Sequence, residues 1–300
     1  MFVIIGMVIV LGAVVGGYLM EKGNLLVLMQ PAELLIIGGA AIGTLLIANP
    51  LPVVIRIFKG ILATLSGSKY SDKFYLENLK MLHDLFQHAR KNGMVKLEED
   101  VEKPQESALF KQYPKVLKDH HLLYFLCDTL RTSLSGVVPP HELDALMEAD
   151  LDVHHHEASV PVAALTTVAD ALPGLGIVAA VLGVVITMGA LGGPPEEIGK
   201  KVAAALVGTF LGILLCYGFV APLAGCMTKA NDSEAQFYGC MRVALVAFAK
   251  GLPPILAVEF ARRSIPEDIR PTFQVLEAAM KARPAEAGAA AEAPAAAAAA

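Results

Sequence analysis

Residues 171–191 read ALPGLGIVAAVLGVVITMGAL and contain no Asp, Glu, Lys, Arg or His. Residues 202–225 read VAAALVGTFLGILLCYGFVAPLAG and lack the same five residue types. About 20 residues of helix, at 1.5 Å per residue, cross the 30 Å hydrocarbon core of a bilayer. The two stretches therefore predict a pair of membrane-spanning helices. The intervening Gly192-Gly193-Pro194-Pro195 predicts a tight turn between them.

Two further apolar segments lie near the N-terminus. Residues 1–20 contain no Asp, Glu, Lys, Arg or His, and they are too long for the apolar core of a signal peptide, so we expect a retained helix. Residues 34–55 predict a second helix, which Pro50 and Pro52 should end or kink. The composition agrees, because 55% of residues are hydrophobic and only 18% are charged. We predict an all-α protein with four transmembrane helices and a large helical loop.

The distribution of positive charge predicts how the helices are oriented. Of the 24 Lys and Arg residues, only Lys22, Lys200 and Lys201 lie in the short connections at 21–33 and 192–201. The other 21 lie in the long loop or after residue 225. Cytoplasmic segments carry the excess of Lys and Arg, so the long loop and both termini are predicted to be cytoplasmic.

The chain is thereby divided into five predicted segments. These are 1–55 (transmembrane helices 1 and 2), 56–170 (helical cytoplasmic loop), 171–225 (transmembrane helices 3 and 4), 226–281 (helical cytoplasmic C-terminal segment) and 282–300 (alanine-rich tail). The tail has no branched or aromatic residue with which to build a core, so we expect it to be disordered or weakly helical.

The long loop shows helical periodicity. Apolar residues recur near helical spacing over 73–91, and Asn92-Gly93 should end that helix. Residues 122–135 and 141–155 predict two more helices. The mixed charges between Lys96 and Lys103 are typical of a solvated helix face, with a protein-docking surface as the alternative.

Several functional classes have no support in the sequence. His154-His155-His156 and His120-His121 are candidate metal ligands, but adjacent helical residues point in different directions, so we expect no metal. Without a nucleophile–base pair, a Walker loop or a dinucleotide fingerprint, we expect no enzymatic activity and no cofactor. Positive charges are scattered and the net charge is -5, so the sequence has no basic patch of the kind that binds nucleic acid.

The predicted spans lack a central ionisable residue, since Glu33 and Asp170 lie only at their ends. Ionisable groups inside membranes mark ion pathways. Either this chain moves no ion, therefore, or a partner helix supplies the carboxylate. Two threonine hydroxyls, those of Thr187 and Thr209, lie inside the third and fourth spans. Such hydroxyls commonly donate to the carbonyl four residues earlier.

Prolines and glycines mark further positions in the spans. Pro173 should open the third helix, where its missing N–H is harmless, and Pro222 should kink the last turns of the fourth. Physics alone favours two helix ends over a hinge. Small residues also recur at four-residue spacing, which favours close helix packing or oligomerisation. The pairs are Gly12 with Gly16, Gly39 with Gly43, and Gly208 with Gly212.

Four stretches resemble the MotA family of bacterial flagellar stator subunits, and the likeness runs from residue 1 to about 277. They are residues 12–20 (ending GGYLM), 30–34 (QPAEL), 170–181 (DALPGLGIVAAV) and 207–215 (VGTFLGILL). The resemblance implies a homo-pentamer in the bacterial inner membrane, surrounded by lipid. A MotB-like partner carries the missing membrane Asp, and proton flow becomes torque on the rotor's switch-complex protein.

The resemblance also assigns residues. Arg90 and Glu98 occupy the family's torque positions, with Lys91, Lys96 and Glu99 as helpers. Pro173 and Pro222 match two prolines that couple ion flow to loop movement, which favours the hinge. Thr209, Ala180 and Thr187 would line the ion path.

Ion type and function retain alternatives. Sodium-driven relatives carry a threonine where this chain has Ala180. Because hard cations prefer several oxygen ligands, protons are favoured. Thr187, two turns later on the same face, leaves sodium open. An ExbB- or TolQ-like energy-transducing subunit is the alternative function. The extra N-terminal hairpin argues against it, and the missing carboxylate argues against a self-sufficient channel.

Overall fold

The computed structural model describes residues 2–67, 69–189 and 192–281. These residues are mainly helical and include no β-strand, which confirms the all-α class. The chain divides into two compact units. The first unit holds residues 2–67 and His156–Asp232, and the second holds Lys69–His155 and the described residues from 233 onward. The predicted alanine-rich tail lies outside the described residues.

The described residues form helices α1 to α13 in chain order. They are α1 (Phe2–Met20), α2 (Leu25–Leu28), α3 (Pro31–Ala48), α4 (Leu51–Ser66), α5 (Asp72–Asn92), α6 (Met94–Glu102), α7 (Pro114–Lys118), α8 (His120–Leu134), α9 (Pro140–Met188), α10 (Pro195–Leu215), α11 (Ala221–Ala249), α12 (Pro254–Arg263) and α13 (Phe273–Lys281). Among the described residues, four helical stretches are long and apolar enough to span a membrane, which confirms the predicted number. They are Phe2–Met20, Leu25–Ala48, Pro140–Met188 and Pro195–Ala249.

The second span ends at Ala48, earlier than the predicted segment 34–55. Asn49, which precedes Pro50, is extended (φ −135°, ψ 141°), as expected for a residue before proline. A new helix, α4, begins at Leu51. The expected break at Pro50 and Pro52 is therefore confirmed, and the segment contains parts of two helices.

The third span is part of a much longer helix than predicted. The predicted helices 141–155 and 171–191 fall on one 49-residue helix, α9, which ends at Met188 and contains Pro161 and Pro173. The prediction that Pro173 opens a helix was wrong. Proline removes one helix hydrogen bond. Even so, breaking a helix inside lipid would strand many more backbone groups without water, so the helix continues.

The fourth span contains a π-helical turn. Between α10 and α11, Cys216–Val220 form this turn, and the N–H of Ala221 donates to the carbonyl of Cys216, five residues earlier. The wider turn gives room to the ring of Pro222, which would otherwise press on the carbonyl of Gly218. The predicted end of this helix near residue 225 was wrong, because α11 runs on to Ala249.

The second unit has an aromatic core. The Ser71 side chain accepts the N–H of Phe74 at 3.4 Å to begin α5, and Gly93, with φ +88°, ends it. This confirms the helix predicted over 73–91. Phe86 of α5 stacks on Phe248 of α11 at 4.2 Å. The largest fully buried side chains include Tyr75, Phe86, Phe110, Phe237 and Tyr238.

Candidate functional site

Helices α9 and α10 touch through their backbones. A Cβ on Gly212 would lie 2.6 Å from the carbonyl oxygen of Leu172 and 2.8 Å from the Cα of Gly176. A Cβ on Gly176 would lie 2.8 Å from the carbonyl oxygen of Gly208. Of the three predicted glycine pairs, only Gly208 with Gly212 makes such a contact. At the other four glycines, an added Cβ would meet no heavy atom of a neighbouring residue within 4 Å.

Ala180 and Thr209 come together at this contact. The backbone nitrogen of Ala180 lies 3.2 Å from where a Cβ on Gly208 would be, and Thr209 is the next residue. Both Ala180 and Thr209 are half-buried. The Thr209 hydroxyl has no hydrogen bond to any residue that the structure describes. Thr187 is buried, and its hydroxyl donates to the Gly183 carbonyl at 2.8 Å, the local bond that threonines commonly form.

Both helices expose an apolar face beside these residues. One set of exposed side chains on α9 follows helical spacing, and on α10 two exposed side chains lie three and four residues from Thr209. In α9, Pro173, Ala180 and Thr187 follow one another at intervals of seven residues, or about two turns. This exposed set comprises Ile177, Val181, Val184 and Met188 of α9, which is also exposed on its other sides at Val178, Leu182, Val185 and Ile186, and Leu206 and Ile213 of α10. We call this surface the α9–α10 face. Thr209 is the half-buried hydroxyl residue beside this face.

A second candidate surface lies where α5 meets α6 in the second unit. Its members are Arg90, Lys91, Lys96, Glu98 and Glu99, all exposed, and we call it the charged patch. Leu97 and Val101 are buried and anchor α6. Glu98 and Glu99 point outward as a result.

The charges of the patch differ in how they are paired. Lys96 and Glu99 form an ion pair. The hydrogen bond between them lowers the pKa of Glu99 and raises the pKa of Lys96. Arg90 and Glu98 make no ion pair with any residue in the described ranges. The patch therefore offers one unpaired positive and one unpaired negative charge to a partner surface.

The histidine-rich segments meet in the second unit. The rings of His121 and His154 stack with centroids 3.8 Å apart, and Tyr238 lies edge-on to His121 at 4.8 Å. Burial lowers the pKa of His121, and the neighbouring His154 adds to this effect. In the described part of the chain, no group of three or more His, Cys, Asp or Glu is arranged to hold a metal ion.

Sequence reasoning missed the position of Glu33. It was expected merely at a helix end, yet only 6% of it is exposed, in the first turn of α3. Its Oε2 atom would be 2.6 Å from a Cβ on Gly208. Glu33 and Gly208 are far apart in the sequence, so local pattern could not predict their contact. The one sequence signal for it was the glycine directly before Thr209.

Comparisons with known proteins cover most of the chain. Residues 4–93 match the family described as Motility protein A N-terminal. Residues 118–239 match the MotA/TolQ/ExbB proton channel family. Motility protein A of Escherichia coli is 41% identical over 282 residues, which are 94% of this chain and 96% of that protein. Chemotaxis protein LafT of Vibrio parahaemolyticus is 40% identical over 91% of this chain and 96% of its own length.

The fold is also that of solved structures. The structure of C. jejuni MotAB superposes with a TM-score of 0.73 at 18% identity, over 90% of this chain and 98% of that one. The flagellar MotAB stator complex from Bacillus subtilis gives 0.72 at 21% identity, over 88% and 96%. At these identities the likeness concerns the fold alone.

Proposed function

Since this chain belongs to the MotA family, we propose that it is a stator subunit of the bacterial flagellar motor that, with a MotB-like partner, converts proton flow into torque. The observation that carries the proposal is identity of about 40% to motility and chemotaxis proteins across nearly the whole of both chains. Agreement over this length includes the spans and the charged patch, so it favours a shared function as well as a shared fold.

The α9–α10 face is the proposed ion path. Its apolar surface fits a partner helix, and the partner would contribute the membrane Asp. Thr209 would lie next to that carboxylate, with Ala180 and Thr187 along the same wall. Ala180 in place of a second threonine removes one oxygen ligand, which favours protons over sodium. Several copies of this chain, five by resemblance, would enclose the partner helices.

The charged patch is the proposed contact with the rotor's switch-complex protein. Arg90 and Glu98 are exposed and, within the described ranges, carry no opposing charge. They can therefore pair with rotor charges without first breaking an internal ion pair. Lys91, Lys96 and Glu99 would assist. Electrostatic complementarity of this kind fixes register and orientation between surfaces.

Pro173 and Pro222 are proposed to transmit movement from the ion path. Both lie inside helical stretches, and a π-turn directly precedes Pro222. Bulges of this kind are frequent at functional sites. Each proline leaves one helix hydrogen bond unmade, which weakens the helix at that point.

Pro222→Ala is expected to reduce swimming several-fold while the protein still accumulates in the membrane. Alanine is more favourable than proline in a regular helix by about 3 kcal/mol. We therefore expect the π-turn to be replaced by a regular α-helical turn. Swimming speed and immunoblots of membrane fractions measure the two effects. Pro161→Ala, in a helix position outside the proposed coupling pair, is the control and should swim normally. Equal swimming by both variants would contradict the coupling role.

We place the protein in the bacterial inner membrane with both termini in the cytoplasm. Residues 56–170 and 226–281 would form the cytoplasmic part, as the positive charge indicates. Helix α4 supports contact with lipid headgroups, because exposed Leu51, Ile55, Phe58 and Leu62 lie beside the basic Arg56 and Lys59. We assign the chain no enzymatic activity and no nucleic-acid partner.

An ExbB- or TolQ-like role is not favoured. The relatives that align along most of the chain are motility and chemotaxis proteins. The N-terminal hairpin of α1 and α3 also lies within the match to the motility protein family. A self-sufficient channel would need its own ion-binding groups along the whole path.

Deletion of the gene tests the proposal directly. We expect cells that assemble flagella but do not swim, with swimming restored by the wild-type gene on a plasmid. Electron microscopy of filaments and tracking of single cells provide the measurements. Normal swimming by deleted cells that lack a second stator would refute the function.

A further inference from the structure

Glu33 is the one Asp or Glu that is buried in the part of the chain described by the structure. Its Oε2 atom is enclosed and has no hydrogen-bond partner among the described residues. Lys201, the nearest basic residue before Gly208 in α10, is paired with Glu197 at 3.4 Å. No ion pair joins Glu33 to a cation among the described residues.

The carboxyl group lies where three helices meet. The position of a Cβ on Gly208 in α10 is 2.6 Å from Oε2 of Glu33, 3.1 Å from Cβ of Ala179 and 3.2 Å from the nitrogen of Ala180. Glu33 thus occupies the space that a side chain at position 208 would fill. The glycine is needed because the carboxyl group is there.

This position is inside the membrane-spanning part of the helices. Gly208 is seven residues beyond Lys201, the last charged residue at the start of α10, which is about 10 Å along the helix. Ala180 is eight residues before the end of α9 at Met188, about 12 Å by the same rise. The carboxyl group is therefore well inside the helix ends, although Glu33 is in the first turn of its own helix.

A buried carboxyl without a partner is costly in a membrane, and such residues usually mark ion pathways. Glu33 also contacts Gly208, the residue directly before Thr209, and the backbone of Ala180 lies at the same point. The group is therefore buried between helices beside the proposed path, and not on a lipid-facing surface.

We propose that Glu33 is a proton-binding station on the outer side of the path, an inference that rests on the proposed stator function. Its carboxylate takes a proton from a hydronium ion that enters from the periplasm, which leaves water and the neutral acid. The acid then releases that proton, through water beside Thr209, to the carboxylate of the partner helix. Glu33 returns to the carboxylate and nothing is consumed.

The test compares Glu33→Gln, which keeps the shape but cannot release a proton, with Glu33→Asp, which can. Glu21→Gln is the matched control, because Glu21 is exposed in the connection between α1 and α2. Each gene is expressed with its partner in cells that lack stators. Bead rotation near zero load is recorded across a range of external pH, because speed under low load reports proton transfer.

We expect Glu33→Gln to lower zero-load speed by about tenfold to a hundredfold. A positioned acid–base group typically contributes roughly a hundredfold or more. Glu33→Asp should retain most of the speed with a shifted dependence on external pH. Glu21→Gln should behave as wild type. A merely structural role would lower speed without moving the pH dependence in Glu33→Asp, and that result would overturn the proposal.

Infrared difference spectra of the purified complex in lipid, recorded between low and high pH, supply a readout that needs no rotation. The wild type and Glu21→Gln should show one protonated-carboxyl C=O band more than Glu33→Gln. Should Glu33→Gln fail to accumulate, the same band should shift in Glu33→Asp, and an unshifted band overturns the proposal. Rotation of Glu33→Gln at wild-type speed would refute the role of Glu33 and leave the stator function standing. If the wild-type chain restores no rotation, the stator function fails, and the spectra still decide whether Glu33 binds a proton.

Discussion

Replacing Gly212 with alanine is expected to abolish swimming and to reduce the amount of folded protein in the membrane. The added Cβ would lie 2.6 Å from the carbonyl oxygen of Leu172 and 2.8 Å from the Cα of Gly176. Both are backbone positions, so no side chain can turn aside and α9 must move away as a whole. Overpacking typically costs about 1–3 kcal/mol, and a clash between two backbones belongs at the upper end.

Gly12→Ala is the matched control for this substitution. Its helix, α1, is also a membrane span, and within the described residues a Cβ at position 12 meets no atom within 4 Å. Alanine has a better helix propensity than glycine by about 1 kcal/mol, so Gly12→Ala should be neutral or slightly stabilising. Membrane immunoblots and thermal unfolding in detergent measure the difference. Equal stability of both variants would refute the close contact between α9 and α10.

Reversing both charges of the patch, with Arg90→Glu and Glu98→Lys together, is expected to remove nearly all torque. The two side chains are exposed and, among the described residues, unpaired, so folding and membrane insertion should not change. Placing like charges opposite each other costs several kcal/mol, and about 1.4 kcal/mol already corresponds to a tenfold loss of binding. We expect stall torque to fall about tenfold or more on this basis.

The control for the charge reversal is Lys118→Glu combined with Glu267→Lys. Both residues are exposed in the second unit, and no ion pair joins them to the described residues. This variant makes the same net change in charge outside the patch, so it should rotate normally. Loss of membrane protein in the Arg90 and Glu98 variant would instead mean that these residues stabilise the fold.

The features that the sequence predicted well are those set by local pattern. The spans follow from runs of about 20 mainly apolar positions without a charged residue near the centre. Helix α5 follows from apolar periodicity that ends at Gly93. The break before α4 follows from Pro50, which excludes the helical conformation at Asn49. Each of these depends on neighbours within a few residues along the chain.

The features that were missed depend on distant residues or on lipid. Pro173 carries the same local signal as a helix start, and only the need to keep backbone groups paired in lipid places it inside a helix. The burial of Glu33 depends on α9 and α10, which follow it by more than a hundred residues. The roles proposed for Arg90 and Glu98 were not missed, but they rest on family resemblance alone, because exposed charges are equally typical of a solvated face.

The contact between Glu33 and Gly208 also limits how related chains can diverge. One volume inside the membrane is shared between two positions that are 175 residues apart in the sequence. A side chain at 208 would displace the carboxyl group, and a small residue at 33 would leave a void. Substitutions at the two positions should therefore accompany each other, with chains that gain a side chain at 208 carrying a small residue at 33.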